Sequence, residues 1–304
     1  MEYVLTTEGL SKSYGKSKAL NDLSMHVPKG AVYGVIGRNG AGKTTLIRLI
    51  CGLQDPTAGK YTLLGKNGTE KDIIKSRRRM GAVVETPAIF TNMTARENLK
   101  QQYRILGLPT FDGIDELLEL VGIAEEAERK ASKFSLGMRQ RLGIAIALCG
   151  DPDFLVLDEP LNGVDPQGVV QIRELLVKLN KEKQVTILIS SHVLEELSKV
   201  ATHYGILDKG MIVKEISAEE LEASCKKCMY VEVSDTRALS RVLDAKGYEY
   251  SIVSEYTAEV YGSIGVSELV HLLEDEGCEL RKSVEKESSL ESYYLNLIGG
   301  GDHA

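Results

Sequence analysis

Residues 37–45 read Gly-Arg-Asn-Gly-Ala-Gly-Lys-Thr-Thr and fit the Walker A pattern of Gly, four residues and Gly-Lys-Ser/Thr. The glycines let the backbone curl around phosphate oxygens, Lys43 can reach the β- and γ-phosphates, and the Thr44 hydroxyl can ligate a bridging Mg²⁺. A chance glycine-rich turn is the alternative, but the flanking apolar runs supply the strand and helix that the pattern requires. The expected nucleotide contacts are Gly37, Asn39, Gly40, Gly42, Lys43, Thr44 and Thr45.

Apolar runs predict four buried strands, at residues 31–36, 80–84, 154–157 and 185–190. Helices between them, such as the one expected over 167–180, indicate a parallel sheet with helices on both faces. In such sheets, ligands collect beyond the carboxyl ends of the strands. The residues just past these four ends are Gly37, Glu85, Asp158 and His192. We therefore expect four separate pieces of sequence to converge on one nucleotide.

Other segments of the N-terminal two thirds flank this sheet. The chain begins with short strands and turns, including residues 12–18, where Tyr14-Gly15-Lys16 sits in a polar loop. The Gly, Pro and Asn residues of 52–68 indicate a loop and hairpin. A helical pattern opens on the capping box Thr94-Ala-Arg-Glu97. We expect a helical insert at about 86–150 and a hairpin over 204–213.

The composition changes towards the C-terminus. Residues 214–227 read as a charged helix and linker, and residues 229–298 hold 14 acidic residues against six Lys and Arg, a balance of −8. The elements beyond this linker follow the order β-α-β-β-α-β, which matches the ferredoxin-like arrangement. The strands are expected at 230–233, 248–253, 258–264 and 279–284, and the helices at 237–246 and 266–276. A last helix has an apolar face made of Leu290, Tyr293, Tyr294 and Leu297.

Charge and composition argue against several classes of protein. The net charge is −7, so no nucleic acid partner is expected, and the basic run over 75–79 is interpreted as a solvated edge. No apolar run reaches 18 residues and the start lacks a signal-peptide pattern, so we expect a cytoplasmic chain. The Cys225-x-x-Cys228 pair is interpreted as incidental and reduced.

Further motifs occur in a fixed order along residues 1–215. After the Walker A stretch come Phe134-Ser135-Leu136-Gly137-Met138-Arg139-Gln140, Phe154 to Glu159, Leu161-Asn162-Gly163-Val164-Asp165 and Ser190-Ser191-His192. On these motifs the sequence resembles an ATP-binding-cassette (ABC) ATPase, whose signature, Walker B segment, D-loop and switch histidine they match in turn. Any one motif could arise by chance, whereas their ordered combination is highly specific.

The resemblance implies a role for each polar residue at the sheet edge. Asp158 would hold Mg²⁺ through its water shell, and Glu159 would polarise the attacking water as general base, unless the two carboxylates only cap a helix. His192 would contact the γ-phosphate as the second catalytic residue, although a lone histidine is more often structural. Tyr14 would stack on adenine, with an ordinary surface tyrosine as the alternative.

The resemblance also implies a head-to-tail homodimer with two ATP molecules at its seam. Ser135 would begin a helix whose N-terminus, with Gly137 and Asp165, contacts the ATP held by the other subunit. A plain capped helix is the alternative. The usual family pattern is Leu-Ser-Gly-Gly-Gln, so Leu136 and Met138 are departures that bear on the strength of this contact.

Glu85 departs from the glutamine that is usual in this family, whose amide touches Mg²⁺ and the water and links to the membrane partner. A carboxylate brings a full negative charge near the metal, so Glu85 joins Thr44 and Asp158 in the expected metal site. Glutamate here, and the C-terminal extension that ends in Ser289-Leu290-Glu291-Ser292-Tyr293-Tyr294-Leu295, resemble ATPases of exporters that confer immunity or resistance to lantibiotics and bacitracin-like peptides.

The sequence therefore predicts an α/β, P-loop NTPase (ABC ATPase) fold with an antiparallel β subdomain, a helical subdomain and a small α+β, ferredoxin-like C-terminal domain. The expected boundaries are 1–215 for the ATP-binding domain, 216–228 for a linker and 229–304 for the accessory domain. The resemblance implies the ATP-hydrolysing subunit of a peptide or drug exporter that uses ATP and Mg²⁺. It would sit on the inner face of the membrane through a separate integral-membrane permease.

Other functions stay open at this point. An ABC ATPase could energise a different cargo, and a DNA-repair or chromosome-organising ATPase would use the same motifs. The latter is disfavoured because the long heptad insertion is missing and the tail is acidic. A translation factor would ordinarily carry two cassettes in one chain, and a binding module would hold ATP without hydrolysing it.

Overall fold

A computed structural model describes residues 2–224, 228–262, 264–286 and 290–299. The chain divides into two compact units, Met1–Ala218 and Glu219–Ala304. Among the described residues, no helix combines the length and apolar composition needed to cross a lipid bilayer. Cys225 of the Cys-x-x-Cys pair lies outside the described residues.

Strands and helices alternate through most of the first unit. Its strands are β1 (Tyr3–Tyr14), β2 (Ser17–Pro28), β3 (Val32–Ile36), β4 (Ala58–Leu63), β5 (Lys66–Asn67), β6 (Met80–Val83), β7 (Phe154–Asp158), β8 (Thr186–Ser191), β9 (His203–Asp208) and β10 (Met211–Ser217). Its helices are α1 (Lys43–Ile50), α2 (Ile73–Arg77), α3 (Ala95–Leu106), α4 (Ile114–Leu120), α5 (Leu136–Leu148), α6 (Pro166–Lys183) and α7 (Leu194–Ser198), and α8 (Ala218–Ser224) begins at its last residue.

The main sheet has the strand order β10-β9-β3-β8-β7-β6, in which only the edge strand β10 is antiparallel to its neighbour. Every residue of β3, β7 and β8 is buried, which explains their unbroken apolar composition. The register sets Ile36 opposite Ser191 and Asp158 opposite Ser190. The carboxyl ends of these strands therefore meet at one edge, and the predicted parallel sheet is confirmed.

A second sheet of the first unit has the order β2-β1-β4-β5 and is antiparallel. The polar loop predicted at Tyr14-Gly15-Lys16 is confirmed at Gly15 and Lys16, which make the turn, whereas Tyr14 is the last residue of β1 and β2 begins at Ser17. Gly15 in that turn has φ 60°. Leucines of β1 and β2 share one hydrophobic core with Leu46 and Ile47 of α1, so this sheet braces the Walker A helix.

Residues 86–150 hold α3, α4 and α5 with short 3₁₀ helices at 124–126 and 131–133. The capping box at the start of α3 is formed as predicted, since Thr94 accepts from the backbone of Glu97 and Glu97 accepts from the backbone of Thr94. The hairpin predicted over 204–213 is also present, as β9 and β10 with a turn at Lys209 and Gly210.

The charged segment 214–227, predicted as a helix and linker, contains a helix as predicted but begins within a strand. The strand β10 runs to Ser217, α8 covers Ala218–Ser224, and the next strand starts at Cys228. The charged residues of β10 gave no strand signal, because an edge strand can expose charge on its open side. Glu215 instead accepts a 2.5 Å hydrogen bond from the Tyr33 hydroxyl and a 2.8 Å bond from the His26 amide. Burial, reinforced by this carboxylate, raises the pKa of Tyr33.

The second unit contains an antiparallel sheet, and two of its helices, α9 and α10, share a hydrophobic core with that sheet. Its elements are β11 (Cys228–Val233), α9 (Thr236–Lys246), β12 (Glu249–Ile252), β13 (Thr257–Tyr261), α10 (Val266–Glu274), β14 (Leu280–Lys286) and α11 (Leu290–Gly299). The strand order β12-β13-β11-β14 is that of a ferredoxin-like fold, as predicted. Val231 and Val260 of the sheet pack with Leu239 of α9 and Leu269 of α10. On α11, Leu290 and Tyr294 are buried.

Candidate nucleotide site

The Walker A loop connects β3 to α1, as its sequence requires. Gly42 begins the helix with φ 115°, and a Cβ there would lie 2.6 Å from the Ala19 carbonyl oxygen. A Cβ at Gly37 would lie 2.6 Å from the Leu207 carbonyl oxygen. Both positions therefore need glycine, because the loop is pressed against β2 on one side and β9 on the other.

The cation of this loop is turned inward. Lys43 is only 6% exposed, and its Nζ donates to the carbonyl oxygen of Gly37 at 2.7 Å. The same Nζ lies 3.1 Å from Glu159 Oε1. Thr44 and Thr45 follow in the first turn of α1 and are half-buried, whereas Asn39 and Gly40 are exposed at the loop tip. The structure thus joins the predicted cradle directly to the predicted general base.

Asp158 ends β7 and is buried. Its Oδ1 accepts a 2.6 Å hydrogen bond from the Ser190 hydroxyl. Its Oδ2 is also buried, and in the described part of the chain it has no hydrogen-bond partner. A buried carboxylate oxygen without a partner is costly, and a hydrated divalent cation would satisfy it. The residues present therefore fit a magnesium ion held by Asp158.

Glu159 has a backbone conformation that glutamate seldom adopts, with φ 50°. Two hydrogen bonds to Ser190 fix it, because the Glu159 amide donates to the hydroxyl at 2.9 Å and to the carbonyl oxygen at 3.2 Å. His192, just past β8, places Nδ1 2.7 Å from Glu159 Oε2. The two residues predicted as catalytic are thus in direct contact, and the neighbouring strands β7 and β8 hold them there.

Glu85 follows β6 by two residues and has φ 60°. Its carboxylate forms an ion pair with the Arg48 guanidinium, from the last turn of α1. Sequence reasoning missed Arg48. The available signal was its spacing, because residues four apart on a helix share a face and Thr44 lies four residues before Arg48.

Tyr14 ends β1 at the tip of the first hairpin, and its ring is partly exposed. Its hydroxyl donates to the Gln54 side chain, and the Lys12 ammonium lies 5.5 Å from the ring centroid. Ala19 on the other strand of this hairpin contacts Gly42 of the Walker A loop. The hairpin that carries Tyr14 therefore packs against the Walker A loop through Ala19.

The signature and D-loop residues form a second group. Ser135 is the N-cap of α5 and accepts from the Met138 amide at 3.2 Å, and Asp165 is the N-cap of α6. Gly137 packs closely on Val164, since a Cβ would meet its Cγ1 at 3.1 Å. Leu136 beside them is exposed. The starts of α5 and α6 thus lie together, and the N-cap predicted at Ser135 is confirmed.

Sequence reasoning also missed Ser190, the residue that links Asp158 to Glu159. The signal was two serines in a row at the end of a buried apolar strand, directly before His192. Buried hydroxyls need partners, and the carboxylates on the neighbouring strand were the candidates.

Comparisons with known proteins identify relatives among the ATP-binding proteins of ABC transporters. The ABC transporter family matches residues 20–162. The bacitracin transport ATP-binding protein BcrA of Bacillus licheniformis is 40% identical over 306 residues, which cover 99% of this chain and 99% of the relative. The lantibiotic transport ATP-binding protein SrtF of Streptococcus pyogenes is 40% identical over 212 residues, covering 70% of this chain and 90% of the relative.

Solved structures show the same fold. The dimeric structure of a bacterial ABC transporter cassette superposes with a TM-score of 0.63 at 25% identity. The match covers 70% of this chain and 98% of that cassette.

Proposed function

Because this chain belongs to the ATP-binding proteins of ABC transporters, which hydrolyse ATP to drive transport, we propose that it energises the export of an antimicrobial peptide of the bacitracin or lantibiotic type. The observation that carries the cargo class is the 40% identity to a bacitracin transport protein along 99% of both chains. That length takes in the ferredoxin-like unit as well as the cassette. Glu85, which replaces the usual glutamine of the family, supports the same group.

The cradle and the sheet edge would hold ATP and magnesium together. The loop amides and Lys43 would bind the phosphates, and Tyr14 would stack on the base. Thr44 and Asp158 would hold Mg²⁺, which would neutralise charge on the β- and γ-phosphates and so assist departure of ADP. The unpartnered Oδ2 of Asp158 supports this assignment.

Glu159 and His192 would carry the hydrolysis. The bound triphosphate competes for Lys43, and the 3.1 Å contact that occupies one Glu159 oxygen is then released. Glu159 accepts a proton from water as the water oxygen bonds to the γ-phosphorus and the bond to the bridging oxygen of ADP breaks. His192, 2.7 Å from the other oxygen, orients this carboxylate and reaches the γ-phosphate.

A second copy of the chain would complete each site. Ser135, Gly137 and Asp165 lie at the starts of two helices, whose partial positive charge suits the γ-phosphate bound by the other copy. A separate membrane permease would convert opening and closing of this dimer into peptide expulsion.

A resistance assay tests this function. A host that carries the candidate permease would be challenged with bacitracin and with a lantibiotic, and peptide resistance measured for the wild-type chain, Glu159→Gln and Glu85→Gln. We expect resistance to disappear with Glu159→Gln and to change with Glu85→Gln. The exposed Glu125→Gln is the matched control and should keep full resistance. Unaltered resistance in all three variants, or ATPase activity stimulated by an unrelated cargo alone, would refute the exporter assignment.

A further inference from the structure

The ion pair between Arg48 and Glu85 lies beside the expected metal site. Arg48 occupies the last turn of α1, the helix that begins with Lys43 and Thr44. Because Thr44 and Arg48 are four residues apart, they lie on the same face of α1, one turn from each other. The structure therefore holds the Glu85 carboxylate one helical turn away from the hydroxyl that is expected to ligate Mg²⁺.

The backbone on both sides of Glu85 is fixed. The strand β6, which pairs with β7 at the edge of the main sheet, ends two residues before it. Two residues after it, Pro87 packs on Gly143 of α5 so closely that a Cβ there would lie 2.6 Å from the proline Cβ. Glu85 itself has φ 60°. Rotation of the Glu85 side chain can therefore move its carboxylate without breaking these backbone contacts.

The Arg48–Glu85 ion pair is exposed enough for another cation to replace Arg48 as the partner of Glu85. The Arg48 side chain is 36% exposed and the Glu85 side chain 50% exposed. Ion pairs at this exposure are weak and are screened by salt, so a competing divalent cation can displace the arginine. A neutral glutamine at this position would have no need of the counter-charge that Arg48 provides.

We propose that Arg48 is a positioning residue that holds Glu85 away from the metal until nucleotide-bound Mg²⁺ draws the carboxylate across. The inference rests on the proposed function, since it assumes that the cradle binds a metal-nucleotide complex. It assigns to Glu85 two alternative partners on one face of α1, the Arg48 guanidinium and the nucleotide-bound metal ion. Arg48 thereby lowers the apparent affinity of the site for the metal by competing for Glu85.

Manganese binding measures this competition without any turnover. Full-length protein is saturated with a non-hydrolysable ATP analogue, and Mn²⁺ affinity is measured by electron paramagnetic resonance for wild type, Arg48→Gln, Glu85→Gln and the double variant. Arg48→Gln should tighten Mn²⁺ binding about two- to fivefold, the range expected from release of an exposed ion pair. When residue 85 is glutamine, the same substitution should have no more effect than removal of a cation elsewhere on the surface. Arg48→Lys, which keeps the charge, should bind Mn²⁺ as wild type does.

The cycle separates this role from a general effect of charge. Removing any cation changes the net charge and favours Mn²⁺ slightly, and the exposed Arg78→Gln, which lies before the start of β6, measures that general background. An Arg48→Gln shift of equal size with and without Glu85, or no shift in either, overturns the inference. Binding of the analogue without metal is measured in parallel. If wild type fails to bind it, the proposed function fails as well, whereas normal binding with an unresponsive Mn²⁺ affinity refutes the role of Arg48 alone.

Discussion

Glu159 contacts Lys43 and His192 with different oxygens of one carboxylate, at 3.1 Å from Nζ and 2.7 Å from Nδ1. The lysine proposed to bind phosphate and the proposed general base are therefore paired. We expect a bound triphosphate to separate them, because the phosphates and the carboxylate are both anions that favour the same ammonium group. On this proposal Lys43 would link phosphate binding to release of the base.

Replacing Glu159 by glutamine should slow ATP turnover about 10²- to 10⁴-fold, the usual contribution of a general base. Nucleotide affinity should stay the same or increase, since Lys43 loses an anionic partner and is free for the phosphates. Steady-state phosphate release and titration with a fluorescent ATP analogue measure the two effects. Glu125→Gln makes the same chemical change on an exposed residue and should alter neither. Equal turnover in all three proteins would exclude Glu159 as the base.

Replacing Ser190 by alanine should destabilise the first unit by about 1–3 kcal/mol, because it leaves buried polar groups without a partner. The hydroxyl donates to Asp158 and accepts from the Glu159 amide. Urea denaturation measures the loss, and Ser198→Ala, on an exposed residue, should cost less than about 0.5 kcal/mol. If both substitutions cost the same, the Ser190 hydroxyl does not support the carboxylates.

Asp158 and Ser190 show which parts of the site could be predicted from the sequence and which could not. Asp158 could be placed beside the cradle because apolar runs identify buried parallel strands, and such strands bring their carboxyl ends to one edge. That argument needs only element order. Ser190 and Arg48 were missed because their roles depend on which side chain faces them from another element. Spacing along one chain does not encode that pairing.

Elements of the fold also differ in whether the sequence predicts them. The ferredoxin-like order was predicted because strands and helices alternate with clear periodicity over 229–284. The end of β10 was missed because Lys214 and Glu215 interrupt the apolar pattern of that strand. Their strand conformation comes from pairing with β9 and from the Tyr33 and His26 contacts, which are tertiary interactions.

Replacing Tyr14 by alanine should weaken ATP binding about 5- to 150-fold, which corresponds to ~1–3 kcal/mol for loss of one stacked base. Tyr14→Phe keeps the ring and removes only the hydroxyl that donates to Gln54, so it should bind nucleotide nearly as wild type does. Titration with a fluorescent ATP analogue distinguishes the two variants. Equal affinity in Tyr14→Ala and wild type would leave Tyr14 as a surface residue of the hairpin.

Replacing Gly143 by alanine should reduce ATP turnover while leaving nucleotide affinity intact. A Cβ at this position would lie 2.6 Å from the Pro87 Cβ, so the segment that carries Glu85 or the helix α5 must shift. Alanine would otherwise favour the helix by about 1 kcal/mol, so any loss of stability reflects the clash. Gly265→Ala, where a Cβ meets nothing within 4 Å and φ is −70°, is the matched control. Unchanged turnover in Gly143→Ala would show that the Pro87 contact does not position the site.

Replacing Asp153 by asparagine should lower stability by about 0–1 kcal/mol at neutral pH, the range for an exposed ion pair. Asp153 Oδ2 lies 2.6 Å from Arg79 Nε, and their backbones are also hydrogen-bonded just before β6 and β7 begin. The Arg79 hydrogen bond, against a smaller effect of burial, holds the pKa of Asp153 below its usual value. The pair therefore stabilises the fold fully above about pH 4, the unfolded pKa, and loses that contribution as pH falls through the lower folded pKa. Urea midpoints of wild type and Asp153→Asn should accordingly differ by a constant amount from about pH 5 to 8 and converge in acid. A difference that persists below pH 3 would mean that the aspartate acts through packing and not through its charge.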